Sequence, residues 1–188
     1  MTNLTCTIEH DVADAVVRGK LWSIYSRAFT KAKNECIQDQ SCYTPELFEA
    51  TLRDADYVKF IVWENGEPIG LTLSTNNLEK ARIAYVNPRR FERDYPDHAG
   101  RIYYFTVLAV APEKQNCGGT SLILEEVAAF IERNGALIAF DCASETNGGL
   151  PALFQKGLEA GQRKRGLSTS RAEPKHLGGQ NYYVIKLS

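Results

Sequence analysis

Val107-Leu108-Ala109-Val110-Ala111-Pro112-Glu113-Lys114-Gln115-Asn116-Cys117-Gly118-Gly119-Thr120 is the stretch on which the reading of this chain turns. Ile102 to Val110 is an apolar run of strand type, and Pro112, which cannot donate to a ladder, ends it. Gly118 and Gly119 let the backbone turn without Cβ obstruction. Gly118 to Asn134 then repeats at helical spacing, with Ile123, Val127, Phe130 and Ile131 on one face, and Asn134-Gly135 supplies the stop. The order is strand, tight loop, helix. In such a turn the unpaired amides of the first helical residues and the positive end of the helix dipole face the loop, a geometry that binds phosphate or pyrophosphate.

Upstream, Leu4 to Glu9 alternates as a strand, and the apolar positions from Ala13 to Lys33 recur as in an amphipathic helix. Thr44-Pro45-Glu46 reads as a helix start, Thr as N-cap and Pro at the first helical position. Val58 to Trp63 and Pro68 to Ser74 flank Asn65-Gly66, a strong hairpin signal. Asn76 to Gly100 is polar and broken by Pro88 and Pro96, a long connection that either lines a site or is a mobile excursion. Downstream, Ala136 to Cys142 is a buried-type strand, Leu150 to about Leu158 a helix entered through Pro151, and Tyr182 to Leu187 a last strand.

The loop itself separates several nucleotide sites. A P-loop requires Gly-Lys-Ser/Thr, and Gly118-Gly119-Thr120 lacks the lysine; the dinucleotide fingerprint Gly-x-Gly-x-x-Gly is also absent. The stretch resembles instead the acyl-CoA signature of the GNAT superfamily, an apolar strand ending Leu-x-Val-x-Pro followed by Gln/Arg-x-x-Gly-x-Gly/Ala. Leu108, Val110, Pro112, Gln115 and Gly118 match in order and spacing, and Thr120 stands where the family has Gly or Ala. The order of elements resembles the family over nearly the whole chain. It implies an α/β (α+β) three-layer sandwich, a mixed and largely antiparallel sheet flanked by helices and splayed between the motif strand and the next.

The resemblance implies a site as well. Leu108, Ala109 and Val110 would offer backbone groups to a pantetheine arm, and Gln115, Asn116, Cys117, Gly118, Gly119, Thr120 and Ser121 would cradle the diphosphate of acetyl-CoA. An amide near Leu108 would polarise the thioester carbonyl. Asn147 and Phe154 fall in the segment where relatives carry further cofactor contacts and a tyrosine acid; Phe154 offers no proton. The carboxylate that relatives carry on the motif strand is replaced by Thr106 and Val107. Glu145 ranks first as a substitute base, ahead of Tyr103, Tyr104 and His98. Arg163-Lys164-Arg165 is a solvated helix end that in this fold could reach the 3′-phosphate of coenzyme A.

Composition narrows the partners. With 188 residues, 44% of them apolar, the chain fits a single domain spanning 1–188. A net charge of −1 gives no global field toward nucleic acid or anionic membranes. Five scattered cysteines without Cys-x-x-Cys spacing, and His10, His98 and His176 far apart, argue for reduced thiols and no metal. No secretory pattern or membrane-spanning run is present in the sequence, so a cytoplasmic protein is expected. The implied activity is acetyl transfer to a primary amine, on a small molecule or a peptide, by direct attack in a ternary complex; a homodimer is compatible with it. Two other classes stand beside it: an acyl-CoA sensor or interaction domain lacking turnover, and a different nucleotide-binding enzyme using the same helix N-terminus.

Overall fold

The computed structural model describes residues 3–29, 42–81, 89–143, 150–163, 175–177 and 180–186. They form two compact units, each assembled from two stretches of chain: 1–74 with 107–123, and 75–106 with 124–188.

In the first unit β1 (Leu4–Glu9) pairs antiparallel with β2 (Tyr57–Glu64), Leu4 opposite Glu64 and Glu9 opposite Lys59. β2 turns into β3 (Glu67–Thr75) through Asn65 and Gly66, both at positive φ (53° and 83°), the two left-handed residues that a tight hairpin of this twist requires. β3 in turn lies beside the second half of β4 (Ile102–Val110), where the Ala111 amide donates to the Ile69 carbonyl and the Thr72 hydroxyl to the Val107 carbonyl. Two helices cover one face. α1 (Ala15–Ala28) starts at Asp14, whose carboxylate accepts from the Val16 and Val17 amides. α2 (Pro45–Arg53) starts as expected, with the Thr44 hydroxyl accepting from the Leu47 amide and Pro45 at the first helical position. Leu21, Ile24, Tyr25, Phe48 and Leu52 of these helices share a core with Ile61, Leu71, Leu73, Val107 and Ala109.

In the second unit the strand order is β4-β5-β7-β6. The first half of β4 runs parallel to β5 (Leu137–Ala143), from Ile102 opposite Leu137 to Phe105 opposite Phe140. β5 pairs antiparallel with β7 (Gln180–Lys186) along its whole length, and β7 with the short β6 (Lys175–Leu177). α4 (Gly119–Arg133), which begins in the first unit, meets α5 (Leu150–Arg163) here: Gly157 sits on Leu124, and a Cβ there would lie 2.3 Å from the leucine Cδ1. The expected sheet, mixed and mostly antiparallel with flanking helices, is the one observed.

Three expectations need correction. The connection 76–100 is not without structure, because α3 (Arg89–Asp94) and a 3-10 turn (Pro96–His98) form in it. Phe91 explains α3: it is buried against Tyr104, ring centroids 5.9 Å apart, in a core with Leu78, Ala81, Ile102 and Leu137. The last helix runs to Arg163 rather than Leu158, since Gly157 and Gly161 serve close packing on α4 instead of ending a helix. The sequence pattern also gave no sign of β6. The expected end of the first helix at Lys33, and residues 82–88 of the connection, lie outside the described residues. Among the described residues no helix is long and apolar enough to cross a membrane.

Candidate functional site

The end of β4 and the turn after it fold as one device within the first unit. Gly70 of β3 lets the strands approach closely, for a Cβ there would stand 2.9 Å from the Ala109 carbonyl oxygen. Leu108 is half-buried while Ala109 and Val110 are buried, so this strand meets its surroundings through backbone and small side chains. Pro112–Lys114 then form a 3-10 turn. Its two charged side chains are both engaged elsewhere: Glu113 takes a bidentate pair from Arg27 at 2.9 to 3.1 Å, and Lys114 pairs with Glu64. The Glu113 carboxyl is held below its ordinary pKa by its own backbone amide and by Arg27, and Lys114 is held above its ordinary value by Glu64. What the next residues present is therefore backbone.

That backbone is shaped by two left-handed residues, Asn116 at φ 73° and Gly118 at φ 93°. Asparagine tolerates such a conformation and glycine favours it. The first intrahelical bond runs from the Leu122 amide to the Gly118 carbonyl at 3.0 Å. Among the described residues the amides of Gly119, Thr120 and Ser121 meet no acceptor, as the start of a helix dictates. Gly119 is buried against β2, and a Cβ there would press on Val62 at 3.3 Å. Gln115, Asn116, Gly118 and Ser121 are exposed and Cys117 and Thr120 half-buried, so the turn is not closed by its own side chains. Three donors and a helix dipole at an open turn can hold an anion of phosphate type.

The other candidates scatter. Glu145 and Asn147 lie outside the described residues. Phe154 is 2% exposed and stacks on Phe140 at 4.4 Å with Phe105 edge-on, so its ring is core of the second unit. Tyr103 packs edge-on to Phe130, and burial raises its hydroxyl pKa. Burial, then Lys186 and Arg101, lower that of His98. Sequence reasoning passed over one pair in this unit. The Tyr104 hydroxyl donates to an Asp141 carboxylate oxygen at 2.5 Å, and burial raises the Asp141 pKa above the carboxylate norm. The signal was present as a lone acid between Phe140 and Cys142 in an apolar strand.

No family model and no curated protein matches the chain. Solved structures do match. The ribosomal-protein-S18-alanine N-acetyltransferase of Escherichia coli is similar at a TM-score of 0.51 and 12% identity, over 96% of this chain and 92% of that one. An acetyltransferase of the GNAT family from Streptococcus pneumoniae gives 0.52 and 14%, over 98% and 99%. A Salmonella typhimurium protein assigned as an acetyltransferase, solved with its cofactor acetyl-CoA, gives 0.53 and 12%, over 97% and 94%. At such identities the likeness is one of architecture. The chain has the GNAT fold.

Proposed function

We propose that this chain is a member of the GNAT superfamily and an acyl-CoA-dependent N-acyltransferase, with acetyl-CoA as donor and a primary amine as acceptor. The observation that carries the reading is the open turn from Gln115 to Ser121, with three donor-only amides at the head of α4, directly after a strand that carries Leu108 and Val110. The Gly119, Thr120 and Ser121 amides would take the diphosphate, and Leu108 to Val110 would align the pantetheine arm by main-chain hydrogen bonds. Support for that alignment comes from the β4–β5 ladder, which ends at Phe105 although β4 continues to Val110. Acetyl-CoA supplies an activated thioester; the chain supplies position, and holding amine and thioester together accounts for much of such a rate. An amide near Leu108 would stabilise charge on the carbonyl oxygen.

The sensor reading keeps one observation in its favour: Thr106, Val107 and Phe154 stand where relatives carry proton-handling groups. Turnover of an amine panel, followed by free-thiol release, separates the two. Binding is tested first by thermal shift. Acetyl-CoA at about 100 times its Kd should stabilise the protein by about 2.7 kcal/mol, and ATP or NAD should not. Gly118→Glu should abolish that response by placing a side chain and a negative charge in the turn. Stabilisation by ATP or NAD alone, or an undiminished response in Gly118→Glu, would remove the proposal.

A further inference from the structure

The chain enters the open turn through a stretch where four charged side chains meet, all of them in the first unit. Glu113 and Lys114 directly precede Gln115, where the turn begins. Their backbone is fixed: the Lys114 amide donates to the Ala111 carbonyl at 2.8 Å, and the Cys117 amide to the Lys114 carbonyl at 3.3 Å. Each side chain is matched by one from another element. Lys114 pairs with Glu64, half-buried at the end of β2. Glu113 receives three N–H donations at 2.9 to 3.1 Å from Arg27, in the last turn of α1, and the Arg27 Nε donates back to the Ser23 carbonyl at 3.3 Å, which orients the guanidinium. The two pairs differ in setting. Arg27 and Glu113 are both exposed, and an exposed ion pair adds little to stability. Beside a turn able to hold an anion, the main consequence of such a pair is the field it leaves there.

Resting on the acetyl-CoA reading above, we infer that Arg27 sets the affinity of the turn for a diphosphate by cancelling the Glu113 carboxylate at its entrance. The Gly119, Thr120 and Ser121 amides and the helix dipole carry only partial charges. Against them, one full negative charge about 10 Å from the two charges of a diphosphate weakens Kd about fourfold in water without salt. Arg27 removes most of that opposition, because its nitrogens lie within 3.1 Å of the carboxylate oxygens and the pair acts on the turn as a dipole rather than as a charge. The carboxyl pKa, lowered by its own backbone amide and by Arg27, keeps Glu113 ionised at neutral pH, so the cancellation is needed there. The sign of the effect separates this role from bracing. If the pair only braced the 3-10 turn against α1, loss of either partner would weaken binding. If it sets the field, loss of the cation weakens binding and loss of the anion strengthens it, since Arg27 then stands as an uncancelled positive charge.

The test is calorimetric titration of the full chain with acetyl-CoA, which reads binding without turnover. At low ionic strength Arg27→Met should weaken Kd about fourfold and Glu113→Gln should tighten it about fourfold. The double variant Arg27→Met, Glu113→Gln should return to within about twofold of wild type, as should Arg27→Lys, which keeps the charge and gives up the fork. At about 0.5 M salt the screening length falls to about 4 Å, and every difference should shrink below about twofold. 3′-Dephospho-coenzyme A, which keeps the diphosphate and lacks the 3′-phosphate, should give the same ratios. Weaker binding by both single variants, or equal binding by all of them, overturns the inference. Ratios that vanish with the dephospho ligand overturn the assignment to the diphosphate. The sign for Glu113→Gln decides the matter alone if Arg27→Met fails to fold. A wild-type chain that binds no acetyl-CoA at either salt concentration defeats the acyl-donor reading itself, an outcome visible before any variant is made.

Discussion

Lys59 in the first unit and Asp141 in the second are both ionisable side chains set into apolar strands, and the fold holds them differently. Lys59 lies between Val58 and Phe60 with no exposure at all, and its ammonium donates to the His10 carbonyl at 2.9 Å and the Asp54 carbonyl at 2.5 Å. It ties the end of β1 and the end of α2 to β2, and burial pulls its pKa down to about 8 against the pull of Asp54, Asp11 and Glu9. Asp141 is half-buried, and its carboxylate accepts from the Tyr104 hydroxyl at 2.5 Å. The comparison teaches that burial and a shifted pKa do not by themselves mark a working group.

The largest effect expected from breaking this contrast is on Lys59. Lys59→Ala removes the stem of a fully enclosed side chain and leaves two main-chain carbonyls without their donor, which should cost about 3 kcal/mol in urea unfolding. Acetyl-CoA stabilisation measured below the new midpoint should persist. A loss of under about 1 kcal/mol would mean that the ammonium does not bind the unit together.

A smaller effect lies in the pH dependence. The unfolded chain holds the lysine proton up to the ordinary value of 10.5, whereas the folded chain releases it near 8. Between those values the unfolded state binds more protons, so stability rises with pH, by at most about 1.4 kcal/mol per unit. Tyr103, raised from 10, acts in the opposite sense at the top of that window, so the range from 8 to 10 is the informative one. Lys59→Met lacks the titrating group and should lack the slope. Parallel curves for the two proteins would place the titration elsewhere.

The sequence showed the turn and the hairpin but not this pair of groups, and the reason is physical. Asn65-Gly66, Thr44-Pro45 and Pro112 through Gly119 act through local backbone rules, so their meaning is complete within a few residues. Lys59 and Asp141 each interrupt an apolar strand, and only tertiary partners distant in sequence decide what the interruption means: His10, 49 positions from the lysine, and Tyr104, 37 positions from the aspartate. The same applies to the last helix, expected to about Leu158 and found to run to Arg163, with Gly157 at a helix contact because Leu124 faces it. Glu145 was ranked ahead of Tyr103, Tyr104 and His98, and Asp141 was passed over. A hydrogen bond between neighbouring strands cannot be read from either strand alone.

The smallest change in stability is expected at Asp141, and its smallness is what sharpens the contrast. Asparagine keeps an oxygen for the Tyr104 hydroxyl and discards a charge that burial disfavours, so Asp141→Asn should leave unfolding free energy at neutral pH within about 1 kcal/mol of wild type, on the stabilising side. The raised pKa adds a sign: between the folded value and the ordinary 3.8 the folded chain keeps the proton that the unfolded chain has lost, so acidification through that window favours the wild-type fold. The Asn variant should lack that gain. Were Asp141→Asn instead to cost as much as Lys59→Ala, the carboxylate would be holding the unit together as the lysine does.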